Sequence, residues 1–258
     1  MNPEQLFHML AGICFSACWG SFLNVLGYRL VREESLFGRS HCTHCHASLA
    51  WHDLIPLFSW CWLGGACRSC KSPISWLYPA VELCTIASML LLFIRLPLIY
   101  ACTYFIFFSA LIVTIRSDAE TMLISRYTSI YLAPLGIFAS FCGLLPIGPL
   151  DSIIGAICGY GSLYIIGALF AKIRGTTGIG QGDLELLCLI GAFTGTLGCW
   201  ATVCIASFAG SLYGIIYLIA TGTRHAQVKI PFGPFLALGA ILFVLYGDRW
   251  MTIAATCL

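Results

Sequence analysis

The chain has 258 residues, of which 59% are hydrophobic and 9% charged, with a mean hydropathy of +0.91. Ordinary globular domains carry roughly a quarter charged residues, so the solvent of this chain is largely lipid and little of it is left for a soluble domain. A net charge of +2, from basic residues dispersed between apolar runs, argues against a nucleic-acid surface and for a role of those residues in membrane topology.

Apolar runs need about 20 residues to cross roughly 30 Å of hydrocarbon, and about eight are present. The first, Leu6–Tyr28, follows an amino end without a basic n-region and is expected to be a retained span. The longest polar stretch, Arg29–Trp76, is the one candidate extramembrane module. Further runs follow at Leu77–Ile94, Leu98–Ile115, Tyr127–Leu145, Leu150–Ala171, Leu184–Gly195, Leu197–Thr221 and Ile230–Tyr246. Spans in lipid must satisfy their backbone hydrogen bonds internally, so the expected fold is all-α, a polytopic membrane bundle of about eight transmembrane helices. The expected organisation is a first helix (1–28), a cytoplasmic four-cysteine loop (29–76) and a seven-helix core (77–258). No internal repeat is evident.

Threading the runs alternately through a bilayer puts Arg29, Arg32, Arg39, Arg68, Lys71, Arg116, Arg126, Lys172, Arg174, Arg224 and Lys229 on one side, against Arg95 and Arg249. The rule that cytoplasmic loops carry the basic residues makes the first side cytoplasmic and turns both termini outward.

In the polar stretch, Cys42-Thr43-His44-Cys45 is followed after 21 residues by Cys67-Arg68-Ser69-Cys70. Paired Cys-x-x-Cys knuckles supply four thiolates to one tetrahedral zinc ion, and such a closed shell is structural. A cytoplasmic placement argues against stable disulfides. His41, His44, His46 and His52 lie nearby as substitute ligands or solvated loop residues. Trp51, Trp60 and Trp62 either pack beneath the knuckles or lie at the membrane interface. The other eleven cysteines are scattered through apolar runs and read as small buried hydrophobes.

Among eleven acidic residues, Asp118 and Asp183 sit beside span ends on the cytoplasmic side, one after the third run and one before the sixth. Two readings stand. Facing carboxylates, one protonated and one ionised, hydrolyse peptide bonds; acids at the headgroup level also simply cap helices. Asp183 fits a cap well. Asp118 follows a helix carboxyl end, where negative charge is unfavourable unless another helix begins there. Glu120 and Glu185 point to other helix faces, Asp151 and Asp248 fall on the outer side, Asp53 lies in the loop, and Glu82 is a secondary polar candidate early in the second span.

Several segments together resemble the type IV prepilin peptidases, membrane aspartyl proteases of the Gly-x-Gly-Asp type. They are Gly20-Ser21-Phe22-Leu23-Asn24, both cysteine pairs, Trp51-His52-Asp53-Leu54-Ile55-Pro56-Leu57, Tyr78-Pro79-Ala80-Val81-Glu82, Gly178-Ile179-Gly180-Gln181-Gly182-Asp183 and Ile230-Pro231-Phe232-Gly233-Pro234. The resemblance implies a bacterial inner-membrane enzyme that removes the leader of type IV prepilins or type II secretion pseudopilins on the cytoplasmic side, with Asp118 and Asp183 as its catalytic pair. In many members S-adenosylmethionine then methylates the new amino terminus; no residue here is assigned to the methyl donor. The chain departs from the family pattern at Ser125-Arg126, where a Pro-Asp pair is usual, at Glu185, where a basic residue is common, and at Thr43-His44, where a proline is customary. Two other readings are a presenilin-like protease, against which the cysteine loop argues, and a zinc-stabilised membrane scaffold or transporter, against which the scarcity of polar residues within the spans argues.

Overall fold

The computed structural model describes residues 3–175, 178–221 and 230–256, with side chains for residues 7–175, 178–221 and 230–247. Arg224 and Lys229 lie outside the described residues, as do the side chains of Asp248 and Arg249. The helices are α1 (Pro3–Leu30), α2 (Phe58–Trp62), α3 (Leu77–Arg95), α4 (Leu98–Thr121), α5 (Ala133–Phe141), α6 (Pro149–Arg174), α7 (Gln181–Thr221) and α8 (Gly233–Thr256), with no named strand among the described residues. Five of them, α1, α3, α4, α6 and α7, are long and apolar enough to cross a membrane, so this is a multi-pass, all-α membrane protein.

The chain divides into two compact units, Met1–Arg95 and Leu96–Leu258. Within the first unit α3 packs against α1. The reason is a close helix contact: a Cβ on Gly20 would lie 3.0 Å from Thr85 Cβ and 3.1 Å from Glu82 Cα. Gly12 faces Leu90, and Asn24 Nδ2 donates to the Tyr78 carbonyl at 3.1 Å, so the two helices run antiparallel.

Between them lie two knuckles of identical design. Cys42 N donates to Ala47 O, His46 N to Cys42 O and Leu49 N to Ser40 O; 25 residues later Cys67 N donates to Ser72 O, Lys71 N to Cys67 O and Ile74 N to Gly65 O. Isolated bridges pair His41 with Ser48 and Ala66 with Pro73. His46 and Lys71 turn each knuckle with φ of +57° and +59°. A repeat is therefore present where none was evident in sequence, because backbone bonds define it. Trp60 packs beneath the second knuckle, its indole N–H on the Ile74 carbonyl at 3.2 Å, whereas Trp51 and Trp62 are exposed.

In the second unit, α4 is the buried centre, with Phe107, Phe108 and Leu111 fully enclosed. Small residues bring α6 against α7: a Cβ on Gly155 would lie 2.5 Å from the Gly191 carbonyl, and one on Gly159 2.4 Å from that of Leu187. Close backbone approach through small residues is the usual way helices associate in lipid, where burial alone drives nothing. The expected runs Leu184–Gly195 and Leu197–Thr221 form one element broken at Gly195, which has φ +71° and ψ −174°. Asp151 of α6 occupies the break, its Oδ1 accepting the Thr196 N–H at 3.0 Å and so capping the second half.

The run Tyr127–Leu145 departs from expectation. It forms a 3-10 turn, Arg126–Thr128, and then α5, nine residues long. At 1.5 Å per residue such a helix covers about 14 Å, well short of the roughly 30 Å core. The hydroxyls of Thr128 and Ser129 both bond to the Ser125 carbonyl, local contacts that compete with helix, and Pro134 begins α5 afresh.

Candidate active site

Asp118 lies in the last turn of α4, which runs on beyond Ile115 to Thr121 and closes with Met122 in the left-handed conformation, its N–H on the Asp118 carbonyl. A carboxylate here meets the negative end of its own helix. The compensation comes from another helix: Gly233, the first residue of α8, donates its N–H to Asp118 Oδ2 at 2.9 Å. Asp118 is 4% exposed.

Asp183 lies in the first turn of α7, where the helix dipole favours its charge. Its N–H bonds to the Gly180 carbonyl at 3.2 Å, and the two carboxylates, Asp118 and Asp183, are within electrostatic reach of each other. Three helix ends thus converge on two acids.

The glycines around them are sites of close approach. A Cβ on Gly182 would lie 2.8 Å from Ile124 Cβ, one on Gly180 would lie 3.2 Å from Asp183 Oδ2, and one on Gly178 2.5 Å from the Phe170 ring. A Cβ on Gly233 would press on Asp118 Oδ2 at 2.8 Å and Ile124 Cδ1 at 3.2 Å. Ile124 is therefore wedged between the starts of α7 and α8.

The competing acids are engaged elsewhere. Glu120 pairs with the buried Arg116 one turn earlier. Glu82 Oε2 accepts the Leu57 N–H at 2.8 Å, Asp53 Oδ1 accepts both Nε and Nη2 of Arg68 at 2.9 and 2.7 Å, and Asp151 caps α7. Glu185 Oε1 faces Arg126 Nε at 3.2 Å. The two charged positions at which this chain departs from the prepilin peptidase pattern thus meet each other in space.

Sequence reasoning quoted Gly233 as part of a signature but missed its role as the donor to Asp118. Asp118 itself carried a signal, an acid at a helix carboxyl end that demands a second helix start.

Cys42, Cys45, Cys67 and Cys70 come together with all four Sγ atoms within 4.8 Å of one another; none of the four loop histidines joins them. The Cys42–Cys70 separation is 3.9 Å, close to the edge of about 3.8 Å that a tetrahedron of 2.3 Å zinc–sulfur bonds requires. The backbone amides of Cys45 and His44 pull the Cys42 thiol down to about 6. Although the Ala47 amide favours the Cys45 thiolate, desolvation and the neighbouring sulfurs of Cys70, Cys42 and Cys67 push that thiol up to about 11. Four thiolates this close need a cation among them, and the set can hold a metal ion.

The chain matches the Bacterial Peptidase A24 N-terminal domain over residues 14–96 and the Type IV leader peptidase family over residues 105–219. It is 32% identical to a prepilin leader peptidase/N-methyltransferase of Aeromonas hydrophila, over 92% of this chain and 91% of that protein. It is 36% identical to one of Burkholderia pseudomallei (strain 1026b), over 88% and 82%. A Pectobacterium carotovorum subsp. carotovorum relative of the same name is 31% identical, over 86% and 87%. No solved structure matches. With two acids gathered at three helix ends, and relatives alike over nearly its whole length, the chain belongs to the type IV leader peptidase family.

Proposed function

We propose that Asp118 and Asp183 are the catalytic dyad of a membrane aspartyl endopeptidase that removes the leader of type IV prepilins or type II secretion pseudopilins. The observation that carries this is the convergence of both carboxylates on the starts of α7 and α8: Asp118 accepts the Gly233 N–H, and Ile124 lies against both Gly233 and Gly182, the neighbour of Asp183. Like charges so placed share a proton, and the pair titrates as a unit. The ionised carboxylate takes a proton from water, whose oxygen attacks the scissile carbonyl carbon. The protonated one donates to the carbonyl oxygen. When the tetrahedral diol collapses, the C–N bond breaks, the departing amine takes the proton held by the first carboxyl and a diol hydroxyl gives its proton to the second, which restores the singly protonated dyad.

The sidedness follows from charge. The segment 126–148, though its helix is short, leads from Ile124 beside Gly182 to Asp151 at the Gly195 break and so counts as the fourth crossing. With it, eleven of thirteen basic residues share one side, which supports a bacterial inner-membrane location with the dyad and cysteine loop cytoplasmic and both termini outward. The bilayer and the precursor are then the two partners. Cys42, Cys45, Cys67 and Cys70 would hold a structural zinc ion, leaving no open coordination position. The relatives' name adds N-methylation of the new amino terminus, with S-adenosylmethionine as donor. With no named strand among the described residues, the donor would not sit in a strand, glycine-loop and helix crevice, and no residue is assigned to it.

The test is co-expression with a prepilin. Asp118→Asn and Asp183→Asn, nearly isosteric, leave the protein inserted but the precursor uncut, whereas full processing by either variant would falsify the dyad. Mass spectrometry of the product then reads methylation as the gain of one methyl group.

A further inference from the structure

The 3-10 turn Arg126–Thr128 is fastened to the first turn of α7 by one buried carboxylate. The Glu185 side chain is 6% exposed, and it is met by Arg126 Nε at 3.2 Å, Gln181 Nε2 at 3.1 Å and Ser129 Oγ at 3.5 Å. A buried charge needs such partners, because its desolvation goes uncompensated without them. Glu185 follows Asp183 by two residues, so it points to another face of α7 and does not reach the dyad. A cleft of about 660 Å3 opens on that face, lined by Arg126, Tyr131, Tyr160, Gln181, Glu185 and Cys188 among others; neither aspartate lines it.

The connection from Asp118 to Asp183 has two fixed points near its start. Ile124 is held against Gly182 and Gly233, and Arg126, two residues on, is held on Glu185. Each fastens the chain leaving α4 to the turn of α7 that carries Asp183. We infer that Arg126 and Glu185 are positioning residues for the dyad, an ion pair that sets the separation of Asp118 and Asp183 without touching substrate. This rests on the dyad assignment above.

The surroundings make the inference testable by reversal. Gln181 can turn its amide to present oxygen instead of nitrogen, and the Ser129 hydroxyl accepts as readily as it donates, so the pocket serves a pair of either polarity. Arg126→Glu keeps the pairing atom at the ε position, and Glu185→Lys carries its ammonium one bond further out. The doubly reversed pair therefore spans nearly the same gap.

The experiment measures kcat and KM for a prepilin peptide with the purified full-length protein, beside Asp118→Asn and Asp183→Asn. Arg126→Glu and Glu185→Lys each lower kcat roughly 10- to 100-fold, the range in which misplaced catalytic groups fall, with KM little changed. The double variant recovers to within about threefold of the parent, the coupling expected of residues in direct contact. Glu185→Gln, which keeps the Gln181 and Ser129 contacts, falls between. The inference is overturned if the single variants retain kcat, if only KM moves, if the double is no better than the worse single, or if the loss is solely one of folded protein with kcat per folded molecule unchanged. If instead Asp118→Asn or Asp183→Asn cleaves normally, the dyad fails, and the inference with it.

Discussion

The N–H of Gly233 and the carboxylate of Asp118 bond at 2.9 Å across 115 residues of sequence, so the start of α8 neutralises what the end of α4 would repel. The same glycine must stay bare, since its Cβ would lie 2.8 Å from Asp118 Oδ2. Gly233 opens α8, where alanine has no advantage over glycine, and Gly233→Ala changes only that one position at the helix start, so the protein still folds and inserts. Its cost should fall on the proposed dyad instead, with a loss of kcat of about tenfold or more as the carboxylate is displaced. Steady-state cleavage of a prepilin peptide, beside a thermal melt in detergent, separates these two effects.

Gly182 and Ile124 make the tighter contact. A Cβ at 182 would lie 2.8 Å from Ile124 Cβ, and neither atom can rotate away. Gly182→Ala therefore costs about 1–3 kcal/mol as an overpacked core contact and also lowers precursor processing. Ile124→Ala leaves the Cβ in place but frees the atoms beyond it, so the Gly182→Ala, Ile124→Ala double variant regains part of the melting temperature. A double variant no more stable than the single one rejects the wedge.

What sequence revealed and concealed divides along physical lines. Hydropathy located the helices and the break at Gly195, because burial in lipid writes itself as apolar length. It failed at Tyr127–Leu145, where hydroxyl-to-carbonyl bonds of Thr128 and Ser129 redirect the backbone without changing the hydropathy. The knuckle repeat was hidden because its bonds are backbone bonds; over the 25-residue offset, His41–Trp51 and Ala66–Trp76 share only the two cysteines and the final tryptophan. The Arg126–Glu185 pair left two separate oddities in sequence, and only the fold joins them.

The metal is tested on the first unit. With the proposed zinc site, purified protein should carry about one zinc ion per chain, the stoichiometry of a closed four-thiolate site, and Cys42→Ser combined with Cys70→Ser should lose it. The loop is too small to hold itself by a hydrophobic core, so a strong chelator opens residues 40–75 to limited proteolysis. Unchanged protease resistance after complete metal removal counts against a structural role.

Asp53 ties the second knuckle to the turn at Trp51–Leu54 through Arg68, and that guanidinium holds the Asp53 carboxyl below the usual carboxylate range. A depressed acid contributes stability above its unfolded value, about 3.9, and loses it as pH falls through the folded one. Asp53→Asn removes the contribution at neutral pH. Proteolysis of the loop at pH 7 is therefore faster in Asp53→Asn than in the parent, and the difference narrows as pH falls below about 4.

Asp151 stands in the first turn of α6 and caps the break in α7, so its substitution tests how that break is held. Its Oδ1 receives the Thr196 N–H at 3.0 Å, and the Gly195 backbone passes so close that a Cβ there would collide with the carboxylate. Asp151→Ala leaves the amide at the start of the second half of α7 unsatisfied, at a cost of about 1–2 kcal/mol as for other lost caps. Asp151→Asn keeps an acceptor oxygen and loses less. Thermal unfolding in a fixed detergent should rank parent, Asn and Ala in that order, and equal midpoints for Ala and parent would mean that the break in α7 is held by helix packing alone.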